Sequence, residues 1–290
     1  MILKIGPVRL SLTRADVLIR PYRRLLGALL VGLSLLAAGC SDGSSPTGPG
    51  ASDPSGPGGG DNGGGGTTTA FNSEAAPGDS ARAFLTDENF SVLAVEIDYM
   101  EGYEPTSAAL DSLKTSLNTH LDKSSLRFRS PTQIPAEGDS VYTADQIRAL
   151  EDTHRDHYTR AESDTLWAHF LVVDGEFEQQ NVLGIAYFNT SMAFFGKTID
   201  DVTTGLGAPS REKVEATVFR HEFGHNLGLV NNGIPMEEDH HDEANGPHCT
   251  NDQCVMYHAI ETTDFFANVF DGTVPSFEEF CTADMAAQRE

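Results

Sequence analysis

His221-Glu222-Phe223-Gly224-His225 sets two histidines four residues apart with a glutamate beside the first. On a helix, residues at that spacing sit one above the other on one face, so both imidazoles can offer a nitrogen to a single metal ion. Zinc suits such a pair. Two neutral histidines leave coordination positions for a third protein group and a water, and bound zinc lowers the pKa of that water from about 15.7 toward roughly 7. Glu222 then stands where a carboxylate can take the water's proton as it adds to a carbonyl and return it to a leaving amine.

A three-position motif is also compatible with a solvated charged face, so the elements around it matter. Ser210 to Arg220 has the pattern of a helix with Ser210 as N-cap. Val214, Val218, His221 and His225 follow one another at steps of four, three and four, so the histidines continue the apolar, core-facing stripe. Gly228 marks an abrupt helix end, as required if the chain is to turn back with another ligand. Six of the ten histidines (221, 225, 240, 241, 248 and 258) fall between 221 and 258, which favours a site. The isolated His120, His154, His157 and His169 read as surface or packed residues, and Trp167 as core.

Mainly over residues 210–284 the chain resembles the metzincin metalloproteases, and among them the archaemetzincins. Metzincins carry H-E-x-x-H-x-x-G-x-x-H and, further on, a methionine in a tight turn beneath the metal. The first eight positions match here, but the next ligand position holds Asn231. Archaemetzincins continue from the third histidine into Cys, four residues, Cys, one residue and the turn methionine. That block is displaced to His248-Cys249-Thr250-Asn251-Asp252-Gln253-Cys254-Val255-Met256, consistent with an insertion of 17 residues. The resemblance implies an α/β (α+β) fold with a mixed twisted sheet, an active-site helix and a Met-turn at Met256. It also implies a zinc ion held by His221, His225 and a third ligand, with Glu222 as general base. His248 is the first choice for that ligand. His241, His240 and Asn231 are the alternatives, the last a neutral amide that binds zinc poorly.

Of the four cysteines, Cys249, Cys254 and Cys281 lie in the body of the chain. In the archaemetzincin pattern a later C-x-x-C completes a second, structural zinc site. The matching stretch here is Phe280-Cys281-Thr282-Ala283-Asp284, with aspartate in the last position. Two accounts stay open: a zinc site of Cys249, Cys254, Cys281 and Asp284, or a Cys249–Cys254 disulfide with Cys281 free.

The chain opens with six cations (Lys4, Arg9, Arg14, Arg20, Arg23, Arg24) before an apolar run, Leu25 to Ala38, that ends in Ala37-Ala38-Gly39-Cys40. Such a run is shorter than the ~20 residues of a membrane span. It resembles a bacterial lipoprotein signal peptide (1–39) with Cys40 as the lipidated residue. Ser41 after the cysteine favours the outer membrane of the cell envelope. From 40 to 79 the chain reads as a flexible tether: eleven of the 28 glycines lie between Gly43 and Gly66. The net charge is −24, and without the +5 of residues 1–39 (six cations and Asp16) it is −29. Such acidity disfavours nucleic acid and anionic membrane faces as partners.

Residues 80–290 are the size of one domain. Ser91 to Asp98 reads as a strand, and Pro105-Thr106 opens a helix bearing Leu110, Leu113, Leu117 and Leu121. Leu126 to Arg129 is a short strand, Thr143 to Gln146 a capping box and Leu166 to Asp174 an apolar strand. Val182 to Asn189, in the metzincin pattern, borders the cleft as the sheet edge. Together these observations describe a monomeric, lipid-anchored zinc endopeptidase acting on peptides or proteins. The alternatives are a non-catalytic zinc-containing binding or scaffold protein, and a gluzincin-like hydrolase with a carboxylate such as Glu261 as third ligand.

Overall fold

The computed structural model describes residues 71–138 and 140–289. The expected signal peptide, Cys40 and most of the tether lie outside the described residues. Among the described residues no helix is long and apolar enough to cross a membrane.

The chain runs through α1 (Ala81–Leu85), β1 (Val92–Met100), α2 (Ser107–His120), β2 (Ser125–Phe128), β3 (Thr132–Ile134), β4 (Val141–Tyr142), α3 (Ala144–His154), β5 (Thr165–Val173) and β6 (Glu176–Phe177). It continues through β7 (Gly184–Phe188), β8 (Ser191–Phe195), α4 (Gly196–Thr203), α5 (Arg211–Asn226), a 3-10 turn (His258–Glu261), α6 (Thr263–Asn268) and α7 (Glu279–Ala287). The main sheet has the order β2-β1-β5-β8-β7, with β3 also paired to β1; β4 and β6 form a separate pair. Every pairing is parallel except β7 with β8. The mixed α/β fold expected from the sequence is therefore the one observed.

Parallel strands are covered on both faces, which is why β5 and β8 are almost continuously apolar. Their two-residue alternation separates two cores. Phe170, Val172 and Phe194 face α2 and α5, whereas Leu171, Val173, Ala193 and Phe195 face Ile147 and Leu150 of α3. The predicted capping box holds α3: the Thr143 side chain accepts from Gln146 N, and the Gln146 side chain accepts from Thr143 N. Thr106 caps α2, and Glu215 of α5 accepts from both Thr106 N (2.8 Å) and Thr106 Oγ1 (2.7 Å).

Two features depart from expectation. The strand read at 182–189 is a hairpin arm: β7 turns directly into β8, a short apolar strand that the sequence did not separate from it. Second, residues 71–79, which the sequence places in the tether, pack on the body. Phe71 packs edge-on against Phe90 at 5.4 Å, and Asn189 binds the segment with its backbone N–H on Ala75 O (2.8 Å) and its Nδ2 on Asn72 O (2.9 Å). Thr190 Oγ1 donates to Ser73 O at 3.0 Å. Polar composition hid these contacts, because they are made by backbone carbonyls that any sequence carries.

Candidate metal centre

Helix α5 carries His221, Glu222 and His225 through the middle of the molecule, where every residue from Val214 to Asn226 is buried. A helix buried all round is fixed by packing on every side. Phe219 and Phe223 pack on Phe170 of the sheet, and Arg220 reaches Ser112 Oγ (3.2 Å) and Pro275 O on the other side. The helix ends as its glycine requires: Gly228 has φ +73, and Val230 and Asn231 also take left-handed conformations.

The chain then makes the excursion 232–248 and returns with His248. The return is pinned by the His241–Cys249 bridge and by hydrogen bonds from Thr250 N to His240 O and from Cys249 N to Met256 O. His221, His225, His248 and Glu261 thereby offer ligand atoms that all lie within 4.8 Å of one another. His221 Nδ1 donates to Val255 O at 2.6 Å, and His248 Nδ1 donates to Asn245 O at 2.6 Å. Each bond fixes the tautomer and leaves Nε2 as a lone pair facing the cluster. His221 Nε2 and His225 Nε2 are 3.2 Å apart, and His248 Nε2 is buried with no partner.

Those nitrogens fit a zinc ion: two ligands of one tetrahedral zinc, each ~2.0–2.1 Å from it, lie about 3.3 Å apart. Burial also keeps them neutral, as a metal ligand must be. It pushes His221 down to about 3, helped by the charge that would form on His248, and holds His225 and His248 below the usual histidine range. Glu222 is raised well above the usual carboxylate range by burial and then by Glu261, partly offset by the backbone N–H of Ala186. Its Oε1 is buried without a partner. Glu261, raised to about 7 by burial, stands 3.7 Å from His248 Nε2 and 3.9 Å from His221 Nε2. Beneath them Met256 is fully buried against Gly224.

The alternatives for the third ligand go elsewhere. Asn231, at the family spacing, is exposed and turned away at φ +58. His241 bonds to Gly246 O at 2.9 Å, outside the cluster. His240 belongs to a different group. Its Nδ1 lies 3.3 Å from Cys249 Sγ, and His240, Cys249 and Cys281 form a second buried set of potential ligands. Cys254 Sγ is 3.5 Å from Cys281 Sγ, far beyond a bonded ~2.05 Å, and all three cysteines are free. No disulfide joins Cys249 to Cys254, one of the two accounts open from the sequence. Asp284 is not the fourth donor either: its Oδ2 accepts from His240 Nε2 at 2.8 Å and its Oδ1 from Glu237 N at 2.7 Å, so it orients the histidine. Hydrogen bonds from Cys254 and then Cys281 pull the Cys249 thiol well below its usual range. Burial pulls His240 down, but its bonds to Asp284 and Cys249 raise it overall. Two thiols and one carboxylate-backed imidazole, with the Cys254 thiol beside Cys281, are donors of the kind a closed structural zinc site uses.

The sequence offered His240 as an alternative third ligand, whereas it lies with Cys249 and Cys281, and it offered Glu261 as a substitute for His248 when both reach one cluster. An odd cysteine count with a histidine nine residues before the first of the three was the available signal for His240. Sequence reasoning also missed Ala76 and Pro77. These two residues line a cavity of about 310 Å³ together with Ile185, Ala186, Glu222, His225, Asn232, Pro247, His248 and Glu261.

No protein-family model matches the chain, and no curated protein matches it. Among solved structures it is similar to archaemetzincin from Methanopyrus kandleri, at 16% identity over 69% of this chain and 96% of that one, with a TM-score of 0.44. It is also similar to metalloproteinase-II from Bacteroides fragilis, at 12% identity over 71% of this chain and 56% of that one, with a TM-score of 0.42. The chemistry of the site rests on its own residues.

Proposed function

We propose that this chain is a zinc-dependent peptidase carried on a lipid anchor at Cys40, outside the cytoplasm in a bacterial envelope. The observation that carries the hydrolase reading is the convergence of three neutral histidine nitrogens beside a buried, unpartnered carboxylate oxygen. His221, His225 and His248 would hold the metal. Bound zinc supplies Lewis acidity toward a carbonyl oxygen and acidifies a water. Glu222 is the base: its Oε1, unpartnered beside the cluster, is placed to accept a proton from water and return it to the leaving amine. The Val255 carbonyl holds the His221 ring, and Met256 packs against Gly224 between the two histidines. Cys249, Cys254, Cys281 and His240 would hold a second, structural zinc.

The anchor and location rest on the cationic, apolar and Cys40 pattern of the leader. A non-catalytic binding protein has one observation against it: a purely structural metal site has no use for Glu222 buried at its side.

The test is elemental analysis and peptide hydrolysis of the full chain, Glu222→Gln and His248→Ala. Two zincs in the wild type and in Glu222→Gln are expected, with hydrolysis lowered by about 10²–10⁴ in the latter, the usual worth of a positioned base. His248→Ala is expected to lose one zinc. A wild type that binds zinc yet cleaves nothing across a broad peptide library defeats the reading.

A further inference from the structure

β7 lies at the end of the sheet, paired only with β8, and its open edge faces the cluster. Unpaired strand edges bind extended peptides through backbone hydrogen bonds. Gly184 allows this edge to approach α5: a Cβ there would lie 2.8 Å from Val218 Cγ1 and 3.0 Å from Glu222 Cγ. Glu222 thus sits against Gly184 and Ala186, within the open stretch.

That stretch is closed at both ends by the chain itself. On one side Asn181 to Leu183 is already paired: Leu183 N donates to Glu261 O at 2.9 Å, Thr263 N donates to Asn181 O at 3.1 Å, and Val182 bridges Thr262. On the other side Asn189 N donates to Ala75 O, and Ala76 and Pro77 stand at the cavity wall. This strap is braced from behind. Asn232 Nδ2 holds Pro77 O at 3.2 Å, and Gly78, at φ +89, lies so close that a Cβ would fall 1.6 Å from Asn232 O. Ala76 N is already held by Asp79 Oδ2 at 3.2 Å and Pro77 has no N–H, so neither residue can donate to a peptide there.

We propose that the cleft admits an extended peptide only along Gly184–Phe188, about 17 Å of strand at ~3.4 Å per residue, so that its substrates are short oligopeptides of about five residues. This rests on the peptidase reading given above. The reaction is hydrolysis: water adds across one C–N bond, the acyl side leaves as carboxylate and the other side as amine, with no other reactant.

The experiment measures binding and cleavage against peptide length in the full chain. Peptides of three to twelve residues built outward from one central sequence are titrated calorimetrically into Glu222→Gln and digested by the wild type. Affinity and kcat/KM should rise to about five residues and then stop, with twelve-residue peptides bound and cut at least tenfold less well. Deleting Asn72–Asp79, or replacing Asn189 by alanine to free the strap where the deletion does not fold, should lift the penalty on long peptides at least threefold. Affinity that keeps growing through ten residues overturns the proposal, as does a length profile unmoved in a folded strap variant. If no peptide of any length is cleaved by zinc-loaded wild type, the peptidase reading falls and the length limit with it. Cleavage without a length limit removes only the confinement.

Discussion

Replacing Gly224 by alanine would place a methyl group 2.2 Å from Met256 Sδ, 3.1 Å from Phe277 Cε1 and 3.2 Å from Met256 Cε. Gly224 lies between the two histidines of α5 at an ordinary helical φ, so helix propensity alone favours the change by at most about 1 kcal/mol. The packing term opposes it. Met256 is flexible but fully buried, and forcing a methyl into a packed core costs about 1–3 kcal/mol. The balance is a loss of up to about 2 kcal/mol, which at 2–4 °C per kcal/mol for a body of this size lowers Tm by up to about 8 °C. Calorimetric unfolding of Gly224→Ala, Met256→Val and the double variant tests the cause. Valine removes the sulfur and terminal methyl, so alanine at 224 should be at least about 1 kcal/mol less costly in that background. A Gly224→Ala protein with a raised Tm, or an equal cost in both backgrounds, would refute the argument.

Lys123 Nζ donates to Ala83 O at 2.7 Å and to the carbonyls of Thr86 and Phe90, so Lys123→Met should leave these acceptors bare and destabilise the 83–90 turn by about 1–3 kcal/mol. Faster amide exchange there, ahead of global unfolding, is the expected sign, and unchanged exchange counts against it. His240→Ala should lower the zinc content by one per chain and open Cys249, Cys254 and Cys281 to thiol reagents under native conditions; unchanged thiol reactivity would show that the histidine does not close this group. Chelation of the wild type should lower Tm in proportion to ln(1 + [L]/Kd) for the metals removed, and a Tm insensitive to chelator means neither cluster binds metal in the folded state.

Local signals carried much of this structure. The caps at Thr106 and Thr143, the apolar stripe of α5 and the β-rich run of β5 each lie within one element, where periodicity and side-chain type decide the outcome. What sequence could not supply was the meeting of distant segments. Asn231 has the motif spacing, yet the turn after Gly228 sends it outward. His240 and His241 are neighbours, and only the pairing of His241 with Cys249 determines that His240 goes to the thiols. Glu261 reaches the histidines because its backbone pairs with Leu183, a contact with no trace in the local pattern. The strap at 71–79 was hidden for the opposite reason: its largely small and polar residues predict no core, but backbone carbonyls can be held by two asparagines, 189 and 232, that lie far along the chain.

His248 and Cys249 are consecutive residues that serve different clusters. If each set holds a zinc, one peptide unit joins two binding equilibria. Ordering the thiol group draws the excursion shut and sets His248 in place, so part of the entropy of assembling the histidine cluster has already been spent when a second ion arrives. By reciprocity the same factor works backward, and an ion at the histidines must tighten binding at the thiols. In a titration of metal-free chain the two occupancies would rise as one cooperative step.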